Sequence, residues 1–239
     1  MNPNKIEAWV KTRRDIHAHP ELRFEENRTS EIIAKRLREL GYQVETGLGK
    51  TGVVGLLKGK RPTTGAPKMI GLRADMDALP IQERNEFPHA STIPGKMHAC
   101  GHDGHVAMLL GAAQELAEHP DFCGSVALIF QPAEEGGAGA RRMIEDGLFT
   151  KYPCDAVFAM HNWPGLAEGE FAAHPGAVMA SSNEFSIQIN AKGAHAAMPD
   201  LGIDPVSGRP VSVRYGKYGA FAQIGTRDDE EKPKFASLR

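Results

Sequence analysis

Met69-Ile70-Gly71-Leu72-Arg73-Ala74-Asp75-Met76-Asp77 is a strand-sized apolar run that ends in two carboxylates. Read outward from it, the same pattern recurs. Val126 to Phe130 is an apolar strand followed by Glu134 and Glu135, and Ala156 to Met160 is another, followed by His161. Gly104 to Ala117 carries Val106, Leu109, Leu110, Ala113 and Leu116 at helical spacing, and Ala138 to Ile144 continues as a helix ended by Gly147. Toward the N-terminus, Asn4 can cap a helix through Ile6, Trp9 and Val10 that stops near His19-Pro20. A second helix is predicted from Arg28 to Leu40, with Ile32, Ile33, Leu37 and Leu40 on one face and Gly41 as its stop. Tyr42 to Glu45 and Gly52 to Leu57 read as short strands, and Arg61 to Pro67 as a turn-rich connector. Strands alternating with helices predict the α/β class, a mostly parallel sheet flanked by helices. In such sheets ligands bind at the carboxyl ends of the strands, so the separate polar clusters are expected to converge.

The bulk properties narrow the function. Of 239 residues, 41% are hydrophobic and 24% charged, ordinary values for a chain with a sizeable core. A net charge of -2 recommends neither nucleic acid nor an anionic membrane as a partner. The apolar runs fall well short of the roughly 20 residues a membrane span needs. Met1-Asn2-Pro3-Asn4-Lys5 has no apolar signal core, so a cytoplasmic location is expected. The cysteines are Cys100, Cys123 and Cys154, an odd number, and thiol or metal-ligand roles outrank a disulfide framework.

Four clusters carry chemistry. In His98-Ala99-Cys100-Gly101-His102-Asp103-Gly104-His105, a thiol and an imidazole two residues apart on a loop suit a borderline transition metal. The helix that follows is expected to help hold Cys100 as a thiolate. In Gln131-Pro132-Ala133-Glu134-Glu135-Gly136-Gly137, adjacent side chains diverge, so one carboxylate can hold a metal while the other serves as general base. His161-Asn162-Trp163-Pro164 offers one more imidazole. Gly193-Ala194-His195-Ala196-Ala197-Met198-Pro199, after a strand expected from Glu184 to Ala191, offers a histidine able to stabilise an oxyanion. Each has a bland alternative when taken alone: scattered loop histidines, a solvated acidic turn, a structural imidazole.

Taken in order, Asp-Met-Asp, Cys-Gly-His, Glu-Glu, His-Asn-Trp-Pro and Gly-Ala-His resemble the amidohydrolase branch of the M20 metallopeptidase family. That branch includes hippurate hydrolases, other N-acyl-amino-acid amidohydrolases and auxin-conjugate hydrolases. The matching stretches are Arg14 to Glu21, Gly71 to Pro80, Met97 to His105, Phe130 to Ala140, His161 to Pro164 and Gly193 to Val206. The resemblance implies Cys100, His102, Glu135 and His161 as metal ligands. It implies Glu134 as the carboxylate that takes a proton from a metal-activated water and passes it to the leaving nitrogen. Asp75 and Asp77 match the Asp-Met-Asp segment, with Asp77 orienting a ligand or the base. His195 matches a histidine that reaches a dimer partner's active site. The implied cofactor is one or two divalent ions, manganese first, with zinc, cobalt or nickel as alternatives. The implied partners are a small N-acyl amino acid of hippurate-like type and a second copy in a homodimer. His98 and His105 flank the site as supporting residues, and His17, His19, His89, His119 and His174 are expected to be surface or structural. Cys123 and Cys154 match nothing and are expected to pack.

The resemblance fades after Val206. The family's smaller domain inserts into a catalytic domain that then resumes and supplies a last histidine ligand, and no histidine follows His195 here. Three segments are therefore expected: an incomplete catalytic domain over 1–180, the incomplete start of an α+β dimerisation domain over 181–206, and a disordered, non-matching tail over 207–239. A frameshift or premature truncation is the expected origin of the tail, and an inactive metal-binding fragment is the alternative to an active hydrolase.

Overall fold

The computed structural model describes residues 3–62, 65–180, 206–216, 219–226, 228–230 and 232–237. The chain forms two units, Met1–Glu170 and Phe171–Arg239. The first opens with α1 (Pro3–Ala18) and α2 (Asn27–Glu39), followed by β1 (Gln43–Leu48), β2 (Gly52–Lys58) and β3 (Met69–Asp75). Then come α3 (His102–Glu118), β4 (Ser125–Gln131), α4 (Gly139–Glu145), α5 (Leu148–Lys151) and β5 (Ala156–Ala159). The strands form one sheet in the order β1-β2-β4-β3-β5. β4, β3 and β5 run parallel, and β1, β2 and β4 run antiparallel. All three strands that lead into predicted clusters belong to the parallel half, so their carboxyl ends lie at the same end of the sheet.

A shared core underlies that end. Ile33 and Leu37 of α2, Val106 and Leu110 of α3, and Val53, Leu128 and Phe130 of the sheet are buried in one cluster. Met76 lies in the same core between Asp75 and Asp77, so the alternation of an extended chain turns both carboxylates away from the apolar side. A smaller cluster of Leu48, Val54, Ile129, Met143 and Leu148 packs α4 and α5 on the sheet. Glu21 closes the start of α2, its carboxylate accepting from Arg28 N, Thr29 N and Thr29 Oγ1. α1 begins at Pro3, a residue pre-organised for a first helical turn, so Asn4, expected at the cap, falls inside the helix.

The second unit departs from expectation. The segment over 207–239, read from sequence as a disordered tail, carries β6 (Val211–Gly216), β7 (Gly219–Ile224) and β8 (Lys234–Ser237) in an antiparallel sheet. Val211-Ser212-Val213-Arg214-Tyr215 alternates with the period of a strand, and the charge run falls between β7 and β8. Asp229 anchors that connection, accepting from Arg209, Thr226 N and Thr226 Oγ1. The boundary between units falls at 170/171, ahead of the expected 180/181. The expected strand Glu184 to Ala191 and His195 lie outside the described residues.

Candidate metal centre

His102, the first residue of α3, is fully buried at the centre of the cluster. Its Nδ1 is 3.3 Å from Asp77 Oδ1, without the alignment of a hydrogen bond. Its Nε2 is 3.7 Å from Asp75 Oδ2 and 3.9 Å from both Glu134 Oε2 and Glu135 Oε1. Cys100 Sγ is 3.4 Å from His161 Nε2, and the His161 Nδ1–H donates to its neighbour Asn162 O. Three sets of donors around His102 fall within mutual reach: Cys100, His102 and His161; Asp75, His102 and His105; His102, Glu134 and Glu135. His102 belongs to all three.

Local backbone geometry makes the convergence possible. Gly101 precedes α3 with φ +85, a conformation L side chains avoid, and a Cβ there would meet Asn162 Nδ2 at 2.1 Å. The turn after β4 holds Ala133 at φ 51 and Ala138 at φ 52, each costing about 1–2 kcal/mol that the surrounding contacts must offset. Asp77 accepts from Glu134 N at 3.0 Å and Glu135 N at 2.9 Å. It therefore aims the backbone from which both glutamates project. Asp75 accepts from His105 Nδ1–H at 2.6 Å and pairs with Arg73 Nη1 at 2.8 Å, while Asn162 N donates to His105 Nε2 at 3.1 Å. With both ring nitrogens engaged, His105 is tied to Asp75 and to the His161-Asn162 segment.

The electrostatics follow from a dense set of carboxylates. Burial works to raise Asp75, but the hydrogen bond from His105 and the charge of Arg73 prevail and hold it at about 2. Burial likewise opposes ionised Asp77, and His102 and the Glu135 and Glu134 amides keep it below the usual carboxylate range. Glu134 is raised, first by burial and then by the neighbouring Glu135 charge. Burial lowers His102, and Asp77, Asp75 and Glu135 together outweigh it and raise it. For Cys100, burial and then the charges of Glu135, Asp75 and Glu134 push the thiol up to about 12 when no cation is bound.

A divalent cation fits these residues. Both His102 ring nitrogens are buried without a hydrogen-bond partner, an exception to the rule that buried imidazoles are satisfied. Thiol, imidazole and carboxylate donors surround them, the set a borderline transition ion prefers. Glu26, Arg23 and Asn162 bond to Ala133 N, Glu135 O and His105 Nε2 beside these residues, and no local pattern in the sequence marked those contacts. All three cysteines are free.

The chain is thus an α/β domain that gathers thiol, imidazole and carboxylate donors at the carboxyl ends of its parallel strands. The profile of Peptidase family M20/M25/M40 matches residues 71–231, and the chain belongs to that family. It is 49% identical over 198 residues to hippurate hydrolase of Campylobacter jejuni, covering 83% of this chain and 50% of the relative. It is 47% identical over 198 residues to IAA-amino acid hydrolase ILR1-like 5 of Arabidopsis thaliana, covering 82% of this chain and 44% of the relative. Among solved structures, a Bacillus subtilis dinuclear metal-binding peptidase of the M20 family aligns with a TM-score of 0.64 and 41% identity. That match covers 70% of this chain and 45% of the other. The chain thus spans about half the length of the curated relatives it matches. Among the described residues, no helix is long and apolar enough to cross a membrane.

Proposed function

We propose that the chain hydrolyses the amide bond of an N-acyl amino acid, with a divalent metal held by Cys100, His102, Glu135 and His161 and with Glu134 as general base. The observation that carries this reading is the convergence of these donors around a buried His102 whose ring nitrogens have no partner. The relatives' names support the substrate class, since a hippurate and an IAA-amino acid both join an acyl group to an amino acid through an amide. One ion or two fit the reading. Manganese is the first choice and zinc, cobalt or nickel the alternatives, because Cys100 favours a softer ion and the carboxylates a harder one.

When bound, the ion supplies Lewis acidity that polarises the amide carbonyl and acidifies a water. Glu134 is suited to take the proton of the attacking water and deliver it to the leaving nitrogen, since burial and Glu135 raise its pKa toward the working range of a base. Asp77 steers both glutamates through their backbone amides. His195 belongs to the reading by resemblance alone, reaching the site of a second copy in a homodimer to stabilise developing negative charge.

The test is hydrolysis of a panel of N-acyl amino acids, hippurate included, with added manganese and with chelator. Glu134→Ala should lower turnover by roughly 10²–10⁴-fold while the metal stays bound. Equal turnover in that variant would reject Glu134 as the base. Metal bound by the wild-type chain with no hydrolysis of any amide would reject the activity and leave metal binding alone.

A further inference from the structure

We infer that Glu26 is a positioning residue for the Glu134-Glu135 turn, anchoring the Ala133 amide that directly precedes the two amides held by Asp77. Three consecutive N–H groups, those of Ala133, Glu134 and Glu135, donate to carboxylate oxygens. Ala133 N donates to Glu26 Oε1 at 2.8 Å, and the next two donate to Asp77. Consecutive amides around a left-handed residue form a concave anion nest. Here two side chains of the chain itself, Glu26 and Asp77, fill the nest, and the pair fixes which way the next two side chains leave the backbone.

The placement of Glu26 argues against a bland structural role. It stands at the N-cap of α2, where an acidic side chain would ordinarily accept from its own helix, yet it makes no capping bond. Glu21 does that work instead. The Glu26 side chain turns away, is fully buried, and accepts from Ala133 N and from Thr51 Oγ1 at 2.5 Å. One carboxylate thus ties the start of α2, the turn between β1 and β2, and the turn after β4. Burying an acid is unfavourable unless its partners are well placed, so a position this enclosed has a strict geometric demand. Arg23, three residues earlier, adds a second contact to the same turn, donating from Nη1 to Glu135 O at 3.2 Å. The short connector between α1 and α2 therefore bonds to the turn at Ala133 N and Glu135 O, while Asp77 accepts from the Glu134 and Glu135 amides.

The role rests on the proposed placement of Glu134 and Glu135 at the metal, but its first readout does not. Amide hydrogen exchange on the metal-free chain should show Ala133, Glu134 and Glu135 exchanging at least about 10-fold faster in Glu26→Ala, with the amides of β3 and β4 unchanged. Glu26→Gln, which keeps an oxygen facing Ala133 N, should restore protection. Metal affinity should then fall about 10–100-fold in Glu26→Ala and recover in Glu26→Gln, the range for residues that orient ligands. Where hydrolysis is measurable, kcat should fall with KM nearly unchanged. Wild-type protection of these three amides in Glu26→Ala would overturn the inference. Faster exchange spread evenly over the whole sheet would also overturn it, assigning Glu26 to general stability. The expected faster exchange in Glu26→Ala, with no metal bound by either chain, would count against the proposed function and not against the anchoring.

Discussion

His17 lies between two carboxylates that reach it from distant parts of the chain. Its Nδ1 is 3.0 Å from Asp103 Oδ2 and its Nε2 is 3.1 Å from Glu83 Oε1, and all three side chains are buried. Both partners accept, so the ring serves both contacts best as an imidazolium. The Asp103 hydrogen bond raises the His17 pKa against the pull of burial, with Glu83 adding to it. Burial works to raise Asp103 and Glu83, yet His17 and their other partners hold both below their ordinary values. Arg13 also faces Asp103, and the rings of His89 and His98 lie beside His17. A raised histidine contributes stability in full below its ordinary 6.5 and loses it as pH climbs through the folded value. Lowered carboxylates contribute above their ordinary 3.8 and 4.5 and lose it as pH falls through their folded values. The three contributions coincide between about pH 4.5 and 6.5. His17→Gln should therefore show its largest deficit in melting temperature within that window, and a smaller one at pH 8 and at pH 3. A deficit that stays flat across pH would mean that packing, not charge, holds this position. The sequence marked His17 only as surface or structural, because its partners lie 66 and 86 residues away and no local spacing links them.

Elements were legible where apolar periodicity was strong. α2, α3 and the strands β2 to β5 lie within a residue or two of the stretches that Ile33, Leu110, Leu128 and their neighbours mark. β6 to β8 were missed because the charges around Asp228 to Lys234 outweighed a short alternating pattern at Val211 to Tyr215. Cys100, His102, Glu134, Glu135 and His161 could be singled out as candidates because they stand close after readable strands or at the start of a readable helix. The parts that join them were not, since Asn162 and Glu26 act across turns that only the fold brings together. Gly101 shows how an element boundary sets the site. It ends the loop in a left-handed conformation, and Asn162 packs where its Cβ would stand. Gly101→Ala should destabilise the chain by at least about 1–2 kcal/mol from backbone strain alone. Displacing Asn162 should also loosen His105 and weaken metal binding. Thermal melts and a metal titration measure the two effects. A variant with unchanged affinity would show that the Asn162–His105 link is incidental to the metal centre.

At the scale of the whole molecule, the two edges of the first unit's sheet differ in kind. The β1 edge is polar, with Gln43, Glu45 and Thr46 along it. Its register shifts between Thr46 and Leu48, and Glu45 is held by Lys151 and Tyr152. Irregularity and charge of that sort protect an edge from pairing with another chain. The β5 edge has none of these devices. Its four residues are Ala156-Val157-Phe158-Ala159, with Met160 next, and Val157, Phe158 and Met160 are 44%, 58% and 56% exposed. Met108 of α3, 43% exposed, extends the apolar surface beside them. Among the described residues no strand pairs with the outer edge of β5, and an uncharged apolar strand so placed is a template for intermolecular pairing. Phe158→Lys should therefore lower light scattering on concentration or mild heating. Its melting temperature should change little, because more than half of the side chain is already in water. Thr46→Lys, on the already protected edge, should leave scattering unchanged and serves as the control. If Phe158→Lys scattered as strongly as the parent chain, association would have to begin at a surface other than β5.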